Sequence, residues 1–153
     1  MIQRKQTLYL LLSGLLMILT LTVSLGRVSS PDMLYILSGM GFQTADGLIV
    51  EHTWLLFALG VVIALASFVT IFLYKRRVLQ MRITIFNLVL KVGYVAVVVL
   101  NLYRFSEAML PIESQYSVTP WLALPLVAAI SDYLAHRGIL ADETVIRMMD
   151  RLR

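Results

Sequence analysis

The segment from Ile83 to Tyr103 reads ITIFNLVLKVGYVAVVVLNLY, and it is long and apolar enough to cross a lipid bilayer. Roughly 20 apolar residues in a helix span a hydrocarbon core of ~30 Å. One charged residue, Lys91, lies well inside this segment. The segment therefore predicts a membrane-spanning helix, and it raises the question of what neutralises Lys91.

The composition of the whole chain favours the same environment. Of its 153 residues, 59% are apolar and 14% are charged, and the mean hydropathy is +0.85. Typical soluble domains are about half apolar and a quarter charged. A chain this short cannot bury so much apolar surface in a water-facing core. The chain has no cysteine, which excludes disulfides and cysteine metal sites.

The apolar segments predict an all-α membrane protein, a bundle of four transmembrane helices in one domain over residues 1–153. The first segment could be read as a secretory signal, but its apolar core is too long and VSLGRVSS is a poor cleavage site, so we expect an uncleaved span. The fourth is short and carries Pro125 in its first turns, which predicts a kink or an extra turn. The predicted spans are 7–26, 54–74, 83–103 and 120–136.

The basic residues predict the orientation. Ten of the thirteen Lys and Arg residues precede the first span, lie between the second and third, or follow the fourth. Arg27 and Arg104 fall in the other two loops. Because loops rich in Lys and Arg stay in the cytoplasm, we expect both termini there and outer loops at 27–53 and 104–119.

The outer loops and the tail carry weaker signals. In the first outer loop, the runs MLYIL and GLIVE flank a glycine-rich turn region and predict a small β-hairpin. The second outer loop is expected to be irregular. The tail, 137–153, predicts a short amphipathic helix capped by Asp142, with Glu143 and Arg147 paired one turn apart. Such a helix either lies on the inner leaflet or docks a partner.

Lys91 has a candidate partner on the fourth span. Asp132 lies at a depth that a lysine side chain can reach, and Asn87 and His136 each lie one helical turn closer to the cytoplasm. These four residues predict a polar seam between the third and fourth spans. A buried ion pair that ties two helices together is the favoured interpretation. A transport pathway would need polar groups through the whole depth.

Catalytic and metal motifs are not found in the sequence. It lacks His-Glu-x-x-His and Gly-x-Ser-x-Gly, and its two histidines, His52 and His136, are predicted on opposite membrane faces. We therefore predict no enzyme activity, no cofactor and no metal.

Three stretches resemble a known family. MIQRKQTLYLLL at the start, LQMRITIFNLVL at the third span and LAHRGILADETVIRMMDRLR at the end are similar to domain-of-unknown-function family 4293, small four-span inner-membrane proteins typical of Bacteroidota. The resemblance implies an inner-membrane protein of a Gram-negative cell and implies no activity. The similar positions lie on the predicted cytoplasmic side, where a shared interaction surface would be expected: Arg4, Gln80, Asn87, Arg137, Asp142, Glu143, Asp150 and Arg151.

These observations predict a non-enzymatic accessory or assembly subunit of a larger inner-membrane complex, with protein export or envelope biogenesis as the narrower expectation. The expected partners are the lipid bilayer and another membrane protein, without nucleic acid or a small-molecule substrate. The alternative is a small transporter or proton-conducting channel that uses Lys91 and Asp132 as its relay. Residues expected to dock a partner or lipid are Lys75, Arg76, Arg77, Arg82, Arg137, Asp142, Glu143, Arg147, Asp150 and Arg151.

Overall fold

The computed structural model describes residues 3–30, 33–109 and 115–151 of the chain. The described residues form four helices and five short strands. The helices are α1 (Gln3–Thr22), α2 (Trp54–Phe72), α3 (Arg77–Met109) and α4 (Ala123–Arg151). The strands are β1 (Gly26–Ser29), β2 (Leu34–Ser38), β3 (Gly41–Thr44), β4 (Ile49–His52) and β5 (Gln115–Val118).

The four helices pack side by side. Helix α1 lies against α2 and α4, and α3 also lies against α2 and α4. The outward faces are apolar, as the exposure of Leu15, Val62 and Phe86 shows, whereas buried positions include Ser13, Ser67 and Asn87. Apolar residues outside and polar residues inside are what lipid requires, because lipid cannot hydrogen-bond a polar side chain.

Within the described residues, three helices, not the predicted four, are long and apolar enough to cross a membrane. These candidate spans are Lys5–Thr22, Trp54–Lys75 and Arg77–Ala108. Helix α4 contains the predicted fourth span but does not qualify, since Asp132, His136 and Arg137 interrupt its apolar sequence. The prediction of four spans is corrected accordingly. Pro125 introduces no break, because it lies in the first turn of α4, where its missing N–H is not needed.

The prediction of an all-α protein is wrong. The five strands form one antiparallel sheet in the order β4-β3-β2-β1-β5. The sheet lies at the end of the helices where α1 and α3 finish and α2 and α4 begin, which we call the sheet end. The opposite end, with the start of α1, the turn Leu73–Lys75 and the last turns of α4, is the basic end.

The first outer loop contains more than the predicted hairpin. The runs MLYIL and GLIVE do contribute β2 and β4, but they do not pair with each other. Strand β3 comes from the supposed turn region and pairs with both. Gly41 opens β3 at φ +153°, and a Cβ there would lie 2.2 Å from the Glu51 carbonyl oxygen. A glycine is therefore required where β3 approaches β4.

The second outer loop is not irregular either. Its residues Gln115–Val118 form β5, which pairs with β1 in the register Gly26 opposite Val118. Helix α3 also runs on to Met109, beyond the predicted span. Its 33 residues extend about 50 Å, against ~30 Å for the hydrocarbon core. If the predicted span 83–103 lies in the hydrocarbon core, the last turns of α3, up to Met109, project past it at the sheet end.

This projecting part of α3 supports the sheet. The Phe105 ring stacks on Phe42 of β3 with centroids 3.8 Å apart and meets Tyr35 of β2 edge-on at 5.3 Å. Leu102 packs so closely against Gly26 of β1 that a Cβ on Gly26 would lie 2.5 Å from it. The inner face of the sheet is thereby buried on α3, and one apolar core runs from the helices into the sheet.

The tail does not form a separate helix. Helix α4 continues without interruption to Arg151, so Asp142 lies inside it and caps nothing. Its carboxylate instead accepts a hydrogen bond of 2.7 Å from the side chain of Gln6 in α1. Gly138, one turn earlier, lets Gln6 approach, because a Cβ there would lie 3.0 Å from the Gln6 side chain. The beginning of α1 and the last part of α4 are thus joined at the basic end.

Candidate functional site

Lys91 of α3 lies in the centre of the helices, where its side chain is completely buried. Its Nζ forms an ion pair with Oδ2 of Asp132 on α4, and both side chains have 0% exposure. The structure thus brings together the two charges that the sequence placed at similar depth. An ammonium and a carboxylate in contact neutralise each other, which lowers the cost of burying either one.

Two further helices contribute hydroxyl groups to Lys91. Its Nζ donates to Oγ of Ser13 on α1 at 2.7 Å and to Oγ of Ser67 on α2 at 3.1 Å. Ser13 also interacts with the carboxylate of Asp132. Each of the four helices therefore supplies at least one group to this site, and we call Ser13, Ser67, Asn87, Lys91 and Asp132 the Lys91 cluster.

The Asn87 amide completes the cluster from one turn below Lys91. Its orientation is assigned by its neighbours, because the Lys91 ammonium can only donate. With Oδ1 toward the cluster, Asn87 accepts from Lys91 Nζ at 2.9 Å and from Ser67 Oγ at 2.7 Å, and its Nδ2 donates to the Ile63 carbonyl at 3.2 Å. The three protons of Nζ thus serve Asp132, Ser13 and an acceptor pair formed by Ser67 and Asn87.

His136, predicted as the fourth member of the seam, has no hydrogen bond to the cluster through its Nδ1. That atom is buried and lacks a hydrogen-bond partner among the described residues. Asp132 Oδ1 is likewise buried and without a hydrogen-bond partner in the described part of the chain. The cluster therefore satisfies the charge of Asp132 through one of its two oxygens.

Polar side chains continue from the cluster toward the basic end. Thr84 donates to the Gln80 carbonyl at 2.8 Å, and Gln80 Nε2 donates to the Thr70 carbonyl at 3.1 Å. Beyond them lies a cavity of about 20 Å³ lined in part by Gln6, Gln80 and Asp142, a volume suited to about one water molecule. In the other direction, α3 buries Val98, Leu102 and Phe105.

The residues predicted to dock a partner are separated by the structure. Five of them line an open groove of about 530 Å³ at the basic end, together with Val78 and Leu79. We call this the basic groove; its predicted members are Lys75, Arg76, Arg77, Arg82 and Glu143.

The other predicted docking residues do not join the groove. Arg137 is exposed on α4 and does not line it. Asp142 is engaged by Gln6. Arg147, Asp150 and Arg151 belong to α4, but their side chains lie outside the described residues.

The comparison with known families shows to which family the chain belongs. The family described as "Domain of unknown function (DUF4293)" matches residues 2–152, nearly the whole chain. The chain belongs to DUF4293. No curated protein matches it. The resemblance stated from the three short stretches is confirmed, and the matched region includes both the Lys91 cluster and the basic groove.

Sequence reasoning missed two residues of the cluster in this DUF4293 chain, Ser13 and Ser67. A signal was present in α1, where Gln6, Ser13 and Thr20 recur every seven residues and all three are buried. Polar residues at that spacing lie on one face of a helix, and lipid-exposed faces exclude them. On α2, Ser67 and Thr70 are three residues apart, so they also share one face of their helix, and both are buried.

The groups of the Lys91 cluster neutralise each other's charges and accept each other's hydrogen bonds. It contains one cation and one anion, with hydroxyl and amide groups that accept the remaining protons of Lys91. Within residues 3–30, 33–109 and 115–151, no three side chains of His, Cys, Asp or Glu come together as a metal site. Lys91 thus contacts groups on α1, α2 and α4, so that one buried side chain of α3 links all four helices.

Proposed function

We propose that this protein is a non-enzymatic integral membrane protein that serves as an accessory or assembly subunit of a larger inner-membrane complex. The observation that carries the proposal is the exposed edge strand β4. Strand β4 is exposed at all four positions and bonds to β3 along one edge only, among the strands that the structure describes.

The side chains around β4 suit a partner. Leu48, Ile49 and Val50 are apolar and 69%, 40% and 44% exposed. Proteins that avoid pairing protect an edge strand with charged side chains, lysine above all, with proline, with a bulge or with a covering segment. Strand β4 contains no lysine or proline; Glu51 is its one acidic residue, and its pairing with β3 has one register irregularity. Its other edge offers backbone N–H and C=O groups to a strand of another protein. We infer that the partner adds a strand to β4.

The buried groups between the four helices support the proposal of a non-enzymatic role. The charge of Lys91 is neutralised by Asp132, and its three protons are all accepted within the protein. An intramembrane enzyme needs a reactive group that a substrate can reach, whereas both members of this pair are completely buried.

The proposed location is the inner membrane with the basic end in the cytoplasm. Three candidate spans support membrane association. The excess of Lys and Arg at the basic end supports the orientation, because such segments are retained in the cytoplasm. Because α4 runs beside the candidate spans from the sheet end back to the basic end, both termini would then be cytoplasmic and the sheet would face outward. The partner complex would meet β4 on that outer side, which is compatible with protein export or envelope biogenesis.

Site-specific photocrosslinking tests the proposal. A photoreactive amino acid at Val50, incorporated in the native membrane, is expected to crosslink one protein in stoichiometric amount after solubilisation in a mild detergent. The matched control is Phe86, which is 63% exposed on the apolar outer face of α3 and should yield no such product. A monomer without a crosslinked partner at Val50, in several mild detergents, would contradict the proposal.

The alternative of a proton-conducting channel has less support. Polar side chains lead from the basic end to Lys91. From Lys91 to the sheet end the buried side chains of α3 are mainly apolar, Val98, Leu102 and Phe105 among them, and the buried hydroxyl groups there, such as those of Tyr94 and Thr20, carry no charge. Purified protein in vesicles loaded with a pH-sensitive dye tests it. Proton flux that disappears in both Lys91→Met and Asp132→Asn would replace the accessory-subunit proposal with a channel.

A further inference from the structure

The basic groove is formed mainly by the turn between α2 and α3 and by the first turns of α3. The 3-10 turn Leu73–Lys75 ends α2, and α3 begins two residues later at Arg77. This tight reversal places four cationic side chains around one opening, where Glu143 of α4 is the one acidic lining residue among the side chains that the structure describes. The first backbone N–H groups of α3 also lie here, and a helix start favours negative charge.

Apolar residues continue the groove toward the lipid. Val78 and Leu79 line it and are 43% and 40% exposed. Both residues lie at the start of the candidate span Arg77–Ala108, close to the end of the candidate span Trp54–Lys75. The exposed ring of Phe72 lies at the end of α2, and that of Tyr74 lies in the turn Leu73–Lys75. Lys75 Nζ lies 5.9 Å from the centre of the Tyr74 ring, which keeps this cation at the level where aromatic rings meet headgroups.

We propose that the basic groove binds the phosphate of an anionic membrane phospholipid, with the acyl chains against Val78 and Leu79. Charge complementarity favours a headgroup of net negative charge, because the four cations exceed the one carboxylate, and guanidinium groups suit the oxygens of its phosphate. The continuity of the groove with the lipid-facing surface selects a lipid rather than a free ion. This inference does not depend on the proposed complex, since the lipid binds at the basic end and the partner at the sheet end.

Native mass spectrometry of the full chain, released from nanodiscs, tests the inference. From equal parts of phosphatidylglycerol and phosphatidylcholine, the protein is expected to retain phosphatidylglycerol preferentially. The exposed pair Arg76 and Arg82 is then changed in the variant Arg76→Gln/Arg82→Gln. We expect each cation that lines the groove to contribute about a fivefold change in affinity for the bound lipid, so the variant, which removes two of them, should lower retention by about 25-fold. Lys75→Gln provides an independent single change.

The control is Lys5→Gln, which removes an exposed cation at the same end of the protein that does not line the groove. It is expected to leave retention unchanged. Three results would overturn the inference: equal retention of the two lipids, an equal loss in Lys5→Gln, or displacement of phosphatidylglycerol by excess inorganic phosphate. The last of these would assign the groove to a free anion.

Discussion

A lysine in the middle of an apolar helix is stable only when its charge and its three protons are all matched. Lys91 meets that requirement with groups from each helix: Ser13 from α1, Ser67 from α2, Asn87 from α3 and Asp132 from α4. Lipid offers no hydrogen-bonding group at that depth, so the loss of any of these protein groups leaves a polar atom without a partner. Two predictions at the scale of single residues follow from this arrangement.

The ion pair predicts strong coupling between Lys91 and Asp132. We expect Lys91→Met and Asp132→Leu each to lower the free energy of unfolding by about 3–5 kcal/mol, since each leaves a buried charge unpaired. The double variant should recover much of the loss, because neither charge remains. Thermal unfolding in detergent measures all three variants. Strictly additive losses would show that the two residues do not interact.

The hydroxyl groups predict a smaller and more selective effect. Ser13→Ala and Ser67→Ala should each lower the free energy of unfolding by about 1 kcal/mol, because Lys91 loses an acceptor. The matched control is Ser131→Ala on α4, whose hydroxyl donates only to the Val127 carbonyl of its own helix in the described contacts. Equal losses in all three variants would contradict a specific role of Ser13 and Ser67.

At the scale of elements, the length of α3 determines how the sheet is held. A helix just long enough for the bilayer would end near Tyr103, whereas α3 continues to Met109 and carries Phe105 into the core of the sheet. In the described part of the chain, the sheet has five strands of four or five residues each. Such strands need an apolar surface to pack on, and the projecting turns of α3 supply it.

Phe105→Ala should therefore detach the sheet while leaving the helices packed. The change removes the stacking on Phe42 and the edge contact with Tyr35, and a loss of about 3–5 kcal/mol is typical for a buried phenylalanine. Hydrogen exchange is expected to accelerate at the amides of β1 to β3 but not within α1 or α2. Phe86→Ala, on the lipid-facing surface, is the control. Uniform acceleration through the helices would contradict this division.

At the scale of the whole molecule, the protein has two chemically different ends. The sheet end presents strands, an exposed apolar edge and few cations, whereas the basic end presents the groove and joins the first and last helices through Gln6 and Asp142. The Lys91 cluster lies between the two ends and ties the four helices together. The proposed partner site and the proposed lipid site thus lie at opposite ends of the helices.

The orientation is open to a direct measurement because the chain has no cysteine. Single variants Leu48→Cys at the sheet end and Lys5→Cys at the basic end each introduce one exposed thiol. With a membrane-impermeant maleimide on intact spheroplasts, we expect labelling of Leu48→Cys at once and of Lys5→Cys only after permeabilisation. Phe86→Cys, facing lipid, should stay unlabelled in both cases. The reverse pattern would place the basic end outside.

The sequence alone was sufficient for the membrane helices and for the two charges of the site. Helix formation in lipid depends on local apolar length, so α1, α2 and α3 were predicted from single segments. The depth of Lys91 and Asp132 followed from the helical rise. For His136 the structure shows only that Nδ1 is buried without a hydrogen-bond partner among the described residues, so its membership of the seam stays a prediction.

Only the tertiary structure decided the sheet, the continuity of α4 and the two serines. Strand β1 pairs with β5, nearly ninety residues away, and four-residue strands show no periodicity from which such a pairing can be read. Ser13 and Ser67 were ambiguous because a serine in a helix can bond its own backbone carbonyls. Their role depends on which faces of four helices meet, and that is a property of packing between distant segments.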